Sequence, residues 1–320
     1  MITAIDLFSG CGGLSLGFQK AGVEVFAAID NWDIALEIYR NNFSHLTIKQ
    51  DISDEIITKK IIQKLVPDMI IGGPPCQDFS SAGKRNMSGD RANLTYNFTN
   101  IICDLKPKWF VMENVPRITK SQVFSVISKQ YLSAGYGLSA ITLDASLCNV
   151  PQSRLRLFLI GELLGEQNKI IPFLKSNLSD SPMTIRDYLG DHLNLQYYYR
   201  HPRSYARRGI FSIDEPSPTI RGVNRPMPPN YQLHSGDPQG IDLSKIRPLS
   251  TIERSYIQTF PDSFKFSGTK TNLEQVIGNA VPVNLASFVA SAIVNYIKNK
   301  NLDQNKLETF QINQQLCLHF

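Results

Sequence analysis

Asp68-Met69-Ile70-Ile71-Gly72-Gly73-Pro74-Pro75-Cys76-Gln77 reads as a buried strand that runs into a rigid loop carrying a cysteine. Two consecutive prolines fix φ and remove two N–H donors, so the segment after the strand is pre-set as extended. A cysteine there is held off the sheet edge, within reach of a ligand, as a nucleophile is mounted. Apolar runs of the same kind occur at 3–8, 23–29 and 109–112. Between them lie helical patterns at 33–42, 54–65, 97–105 and 122–134. In the second of these, Ile57, Ile61, Ile62 and Leu65 share one face. Strand–helix alternation at this spacing predicts an α/β fold, a parallel sheet with helices on both faces. Residues 138–144 and 155–161 predict two more strands, joined around Asn149-Val150-Pro151-Gln152 as a hairpin at one sheet edge.

The 320 residues suffice for a sizeable core and suggest two unequal domains. Hydrophobic content of 42%, charged content of 19% and a net charge of +5 describe a soluble, mildly basic protein that tolerates an anionic partner. The five cysteines, Cys11, Cys76, Cys103, Cys148 and Cys317, form no Cys-x-x-Cys pair or Cys/His cluster. This argues against a disulfide framework or a metal site and for a reducing compartment. No basic or long apolar stretch precedes the first strand, and no window reads as the roughly 18 apolar residues of a membrane span. The chain is expected to be intracellular.

After about residue 165 helical periodicity fades and Pro, Gly, Arg and Tyr rise, which predicts a smaller, loop-rich module. Pro216-Ser217-Pro218 and Pro226-Met227-Pro228-Pro229 break any long element there. Helical signals return near Ser250 and Thr251, either of which suits an N-cap. An amphipathic segment at 284–298 is expected to pack back on the first domain. The division is therefore 1–165 with 275–300, then 166–274, and a polar tail at 301–320 whose composition from Lys298 onward suits disorder.

Asp6-Leu7-Phe8-Ser9-Gly10-Cys11-Gly12-Gly13-Leu14 follows the first strand and opens a helix. Its glycines permit a tight turn and close approach of a ligand to a helix N-terminus. A dinucleotide fingerprint needs glycines at 10, 12 and 15, and position 15 is serine. Asp30 ends the second strand, where an acid grips ribose hydroxyls. Asp51 ends the third, where an acid accepts from an adenine amino group. Each residue alone suits an ordinary turn or cap. Together, three strand ends on one sheet edge predict an adenosine-containing ligand, NAD or S-adenosylmethionine. Glu113 follows the strand at 109–112. Arg154 and Arg156 alternate on one face of a strand. Gathered near Cys76, a carboxyl and two guanidiniums would hold a planar polar ring.

Within 197–225 stand six arginines (Arg200, Arg203, Arg207, Arg208, Arg221, Arg225), no lysine, and Asp214 and Glu215 as the acids. Tyr197, Tyr198, Tyr199 and Tyr205 interleave. Arginine without lysine suits bidentate contact with guanine edges and phosphates.

Taken in order, these stretches resemble the cytosine-5 DNA methyltransferase family. Asp6 to Gly13 is similar to its cofactor motif, and Gly73 to Ser80 to its nucleophile loop. Glu113-Asn114-Val115, Gln152 to Arg156, Arg247 to Asp262 and Gly278-Asn279-Ala280-Val281-Pro282 follow in the family's order. The resemblance covers 1–161 and 247–297. It implies a Rossmann-like, S-adenosylmethionine-dependent methyltransferase sheet with a smaller target-recognition domain at 166–274. It implies that Cys76 attacks C6 of a cytosine, that Glu113 holds N3 and the amino group, and that Arg154 and Arg156 lie by the base carbonyl. Phe8, Gly10, Gly12, Gly13, Asp30, Asn31, Asp51, Ile52, Pro75, Leu94, Asn279 and Val281 would surround S-adenosylmethionine. Asp30 is one departure, since the family usually has Glu there. Ser80, Lys84, Arg85 and Arg91, in the basic loop after Cys76, would join the six arginines on double-stranded DNA. The resemblance further implies a monomer in the bacterial cytoplasm, associated with the nucleoid. It would be paired in function with a restriction endonuclease, without needing physical contact. An RNA methyltransferase of the same fold and a non-catalytic DNA-binding homologue are the alternatives. The arginine-rich insert speaks against the first, and intact Cys76, Glu113 and Arg154 against the second.

Overall fold

The computed structural model describes residues 1–75, 90–204 and 206–317, with side chains described outside 90–93 and 303–317. The elements in chain order are β1 (Thr3–Leu7), α1 (Gly13–Lys20), β2 (Glu24–Asp30), α2 (Asp33–Arg40), β3 (Leu46–Lys49), α3 (Glu55–Leu65), β4 (Met69–Gly72), α4 (Asp90–Leu105), β5 (Trp109–Asn114), α5 (Gln122–Ser133), β6 (Tyr136–Asp144), β7 (Gln152–Ser153) and β8 (Leu155–Leu163). They form a seven-stranded sheet in the order β3-β2-β1-β4-β5-β8-β6. The first five are parallel, and β8 runs antiparallel to both β5 and β6. The chain order reverses at β1, between β2 and β4. The carboxyl ends of those strands are where an open α/β sheet binds its ligand.

Strand alternation divides the core in two. Ala4, Met69, Ile71 and Val111 face α1 and the start of the last helix, α10 (Val283–Cys317), meeting Phe18, Leu285, Val289 and Ile293. Ile5, Ile70, Phe110 and Met112 point the other way, against Ile62 of α3, Phe98 and Ile102 of α4, and Ile127 and Tyr131 of α5. Period-2 side-chain alternation makes this split obligatory once both faces are covered. Each fully buried Leu, Ile or Phe contributes about 1.5–3 kcal/mol. Asp54 caps α3, its Oδ1 accepting from Ile57 N at 3.1 Å.

The later elements are α6 (Ile171–Lys175), α7 (Ile185–Leu189), β9 (Tyr197–Tyr199), β10 (Ile210–Ser212), β11 (Ser217–Pro218), α8 (Thr251–Ile257), α9 (Lys270–Asn279) and α10 (Val283–Cys317). Ile170 and Leu174 join the first core. Tyr198, Phe211, Ile213, Ile220, Leu249, Ile257, Phe260 and Ile277 make a third core that also takes in Ala35 and Ile38 of α2. Ser250 is the N-cap of α8, in a capping box with Glu253.

Two expectations are corrected. The helix α10 continues to Cys317, so the polar tail after Lys298 prolongs a helix whose start is locked in the core. Within 270–302 lies a stretch long and apolar enough by composition to cross a membrane, and 67% of it is buried inside the fold, as core helix.

Candidate active site

The turn after β1 is built from left-handed backbone. Phe8, Gly10 and Gly12 have φ of 59°, 54° and 93°. For Phe8 this is a strained region that surrounding structure must enforce. The enforcement comes from Asp30 at the end of β2. Its Oδ2 accepts from Gly10 N at 2.8 Å and its Oδ1 from Trp32 N at 2.9 Å. Burial pushes the Asp30 carboxyl above its ordinary range. Each carboxylate oxygen keeps a second lone pair for a ligand hydroxyl.

Beneath this turn Asp6 is fully buried. Ser15 Oγ donates to Asp6 Oδ2 at 2.6 Å, and Tyr39 Oη donates to Ser15 Oγ at 2.9 Å. Asp6 Oδ1 has no hydrogen-bond partner among the described residues, and burial pushes the carboxyl up to about 7. Ser15 thus anchors the strand end in place of a third glycine.

A cavity of about 580 Å³ opens over the carboxyl ends of β1, β2, β4 and β5. Phe8, Gly10, Gly13, Asp30, Asn31, Pro75, Asn279 and Val281 line it as expected, together with Glu113, Arg154 and Arg156. Ser9, Val115 and Gly278, which stand in the quoted motifs but were not singled out, share the wall with Trp32, which lies outside them. The aromatic directly after Asp30-Asn31 was the signal for Trp32. Four expected cofactor residues stand elsewhere. Gly12 turns away, and a Cβ on it would strike the Phe43 ring. Ile52 is buried in the second core. Leu94 is half-buried on α4, outside the wall. Asp51 is exposed; the Ser53 hydroxyl, and then Ser53 N, which donates to Oδ1 at 2.9 Å, hold the carboxyl below its ordinary range. It reaches the cavity wall through Asn31, whose Nδ2 is 3.5 Å from Asp51 Oδ2.

The strand ends are tied together. Asn114 Nδ2 donates to Pro74 O at 3.3 Å, joining the Pro-Pro segment to the end of β5. Arg156 Nε lies 2.8 Å from Glu113 Oε1, with side chains 15% and 12% exposed. Arg154 is buried and does not meet Glu113. Its Nη1 donates to Ile220 O at 3.1 Å and its Nη2 to Ala280 O at 3.1 Å, with Gly278 O at 3.4 Å from both. Desolvation pushes this guanidinium far down, with the charge of Arg156 acting in the same direction. Cys76, Ser80, Lys84 and Arg85, and the side chain of Arg91, lie outside the described residues. Burial holds the thiols of Cys11, Cys103 and Cys148 up at about 12, 11 and 12, so none of these is a thiolate near neutrality.

A wider cleft of about 1130 Å³ shares Val115, Arg154, Arg156, Gly278 and Asn279 with the cavity. Arg200, Arg203, Arg207, Arg208 and Arg221 line it. Arg225 instead lines a small hollow behind, with Arg200, Arg221 and Arg254. The Arg208 fork is taken by Glu215, and its guanidinium lies 4.3 Å from the Phe211 ring centre. Asp237 fixes the end of the arginine loop, Oδ1 accepting from Gly209 N and Ile210 N at 2.9 Å each.

The C-5 cytosine-specific DNA methylase family model matches residues 2–295. The chain belongs to that family. It is 65% identical over 294 residues to the Type II methyltransferase M.HindV of Haemophilus influenzae, covering 92% of this chain and 97% of the relative. It is 50% identical over 303 residues to the Type II methyltransferase M.HgiDI of Herpetosiphon aurantiacus, covering 95% and 97%. Its fold is similar to that of the S. pombe Dnmt2 methyltransferase, with a TM-score of 0.70 at 21% identity, covering 93% of this chain and 99% of the other. The protein is a DNA cytosine-5 methyltransferase of restriction–modification type. The two adjoining spaces therefore belong to a methylase that must bring a methyl donor and a DNA base to one wall.

Proposed function

We propose that this methylase transfers the methyl group of S-adenosylmethionine to C5 of a cytosine turned out of duplex DNA, through a bond between Cys76 and C6. The observation that carries the reading is the shared wall of the cavity and the cleft. Arg156 stands in that wall, ion-paired with Glu113 on the cavity side, beside the Pro74-Pro75 segment that leads to Cys76.

The residues present fit the cofactor. Gly10 has open space where a Cβ would stand, and a cavity of this size suits a nucleoside-sized ligand. Asp30 would hold the ribose, Asn31 and Trp32 the base, and Phe8, Asn279 and Val281 the rest of the wall. When bound, S-adenosylmethionine supplies an electrophilic sulfonium methyl. Cys76 supplies the thiolate that adds to C6, which makes C5 nucleophilic. Glu113 shares a proton with N3 and accepts from the exocyclic amino group, stabilising charge that develops in the addition. Arg156 orients Glu113. Loss of the C5 proton then lets Cys76 leave. The cytosine must leave the stack, since C6 is out of reach within it. The module at 166–274 serves target recognition. The restriction–modification type supports a functional pairing with a restriction endonuclease, without need of physical contact.

Duplex DNA containing 5-fluorocytosine should form a covalent adduct with the enzyme, because fluorine blocks the elimination that frees Cys76. Cys76→Ser should form none while still binding DNA. An adduct with Cys76→Ser, or methyl transfer to tRNA in place of duplex DNA, would overturn the reading.

A further inference from the structure

We infer that Arg200 and Arg221 form a preorganised clamp for one backbone phosphate of the DNA that enters the arginine-lined cleft. The inference rests on the reading of that cleft as the DNA site. The two arginines are cross-tied. Arg200 Nη2 donates to Thr219 O at 2.8 Å, and Arg221 Nη2 donates to His201 O at 2.5 Å. Each guanidinium is thus fixed to the segment that carries the other. Both are half-buried, and both line the cleft. One N–H of each fork is spent on its tie, which leaves donors over for an anion.

Among the described residues neither charge is balanced. The neighbouring carboxylates are committed, Glu215 to Arg208, Glu274 to Arg254, Glu253 to Arg247 and Asp214 to Arg186. Among the described residues no carboxylate lies within ion-pair distance of Arg200 or Arg221. Arg203, Arg225 and Arg254 add further positive charge. Burial, then the charge of Arg221, pushes the Arg200 guanidinium down to about 10. It remains a cation at neutral pH, so like charges are held together in a poorly solvated wall. An anion shared by the two forks relieves burial and repulsion together. Phosphate contacts fix register without reading sequence, and fixed heads in a wall suit that task. Arg207 differs: it is exposed, on the loop between β9 and β10.

The test uses two duplexes of equal length, one containing the sequence the enzyme methylates, mapped by bisulfite sequencing, and one with it scrambled. Affinity is measured across a salt series for the wild type, Arg200→Gln, Arg221→Gln and Arg221→Lys. Each Gln variant should weaken both duplexes by the same factor and lower the salt slope by part of the about 0.9 that one phosphate contributes. Arg221→Lys, which keeps the charge, should keep most of the slope. S-adenosylmethionine affinity should be unchanged in all three, which also reports folding. Loss confined to the methylated-sequence duplex would make these residues base readers and overturn the clamp. An unchanged slope in either Gln variant, or a slope lost equally in Arg221→Lys, would overturn it too. A wild type that binds neither duplex sinks the DNA reading itself and the clamp with it.

Discussion

Arg156 Nε stands 2.8 Å from Glu113 Oε1, across the β5–β8 pair and almost out of solvent. In a site that excludes water, a fixed guanidinium sets both the position and the field of the carboxyl it holds. Arg156→Ala should leave Glu113 misplaced and lower the methyl-transfer rate on duplex DNA by about 10²-fold, the usual cost of small misplacement. S-adenosylmethionine binding should change little. Arg156→Lys should recover part of the rate, since it restores charge without the fork. Single-turnover rates with cofactor titrations check this. A wild-type rate in Arg156→Ala would remove Arg156 from the site.

Arg154 has a different role from its neighbour two residues on. Its guanidinium bonds three carbonyl oxygens, of Ile220, Gly278 and Ala280, and joins the segment after β11 to the segment before α10. Hydrogen bonds from a charged group contribute about 1.5–3 kcal/mol each, and leaving buried carbonyls unpaired adds to the loss. Arg154→Ala should therefore destabilise by more than about 3 kcal/mol, read as a lower urea midpoint. If the midpoint holds while methyl transfer disappears, Arg154 contacts the base and the tie is secondary.

The sheet was legible because its signals are local. Alternation puts Ile70 on one face and Ile71 on the other whatever the partner, and the hairpin of β6 and β8 followed from a Pro-containing break between two apolar runs. Several site residues were legible through place, since Asp30, Glu113 and Pro75 all end strands on one sheet edge. The role of Arg154 was not. Its acceptors lie 66, 124 and 126 residues away, and nothing around Gln152-Ser153-Arg154 points to them. Arg208 looked like a free DNA contact because the hairpin that brings Glu215 to it, by pairing β9 with β10, has no strong periodicity of its own.

Asp6 gives a pH prediction. Its folded value is about 7 because of burial, against about 4 in the unfolded chain. Between those values the folded state binds more protons than the unfolded state, so stability falls as pH rises from about 4 to about 7 and levels off above. Asp6→Asn, which still accepts from Ser15, should flatten this dependence and gain most above pH 7. Urea midpoints of both proteins between pH 5 and 8 test it. Parallel curves would show that Asp6 does not titrate in this range.

Gly17 sets how closely α1 approaches α10. A Cβ there would overlap Ala286 Cβ and the Val283 carbonyl oxygen, neither of which moves without the helix. Two effects oppose each other. Alanine is better than glycine inside a helix by about 1 kcal/mol. Overpacking a rigid contact costs about 1–3 kcal/mol. Because the obstacle is backbone and a helix Cβ, overpacking should win, and Gly17→Ala should destabilise by about 1–2 kcal/mol net. Gly22→Ala is the comparison. Nothing lies within 4 Å of its Cβ position, and only its φ of 85° opposes the change. It should cost about 1 kcal/mol of backbone strain alone. A longer side chain separates the two: Gly17→Val should be far worse than Gly17→Ala, whereas Gly22→Lys should match Gly22→Ala. Denaturant midpoints of the four variants decide it, and a stabilised Gly17→Ala would mean that the two helices are not in contact through this residue.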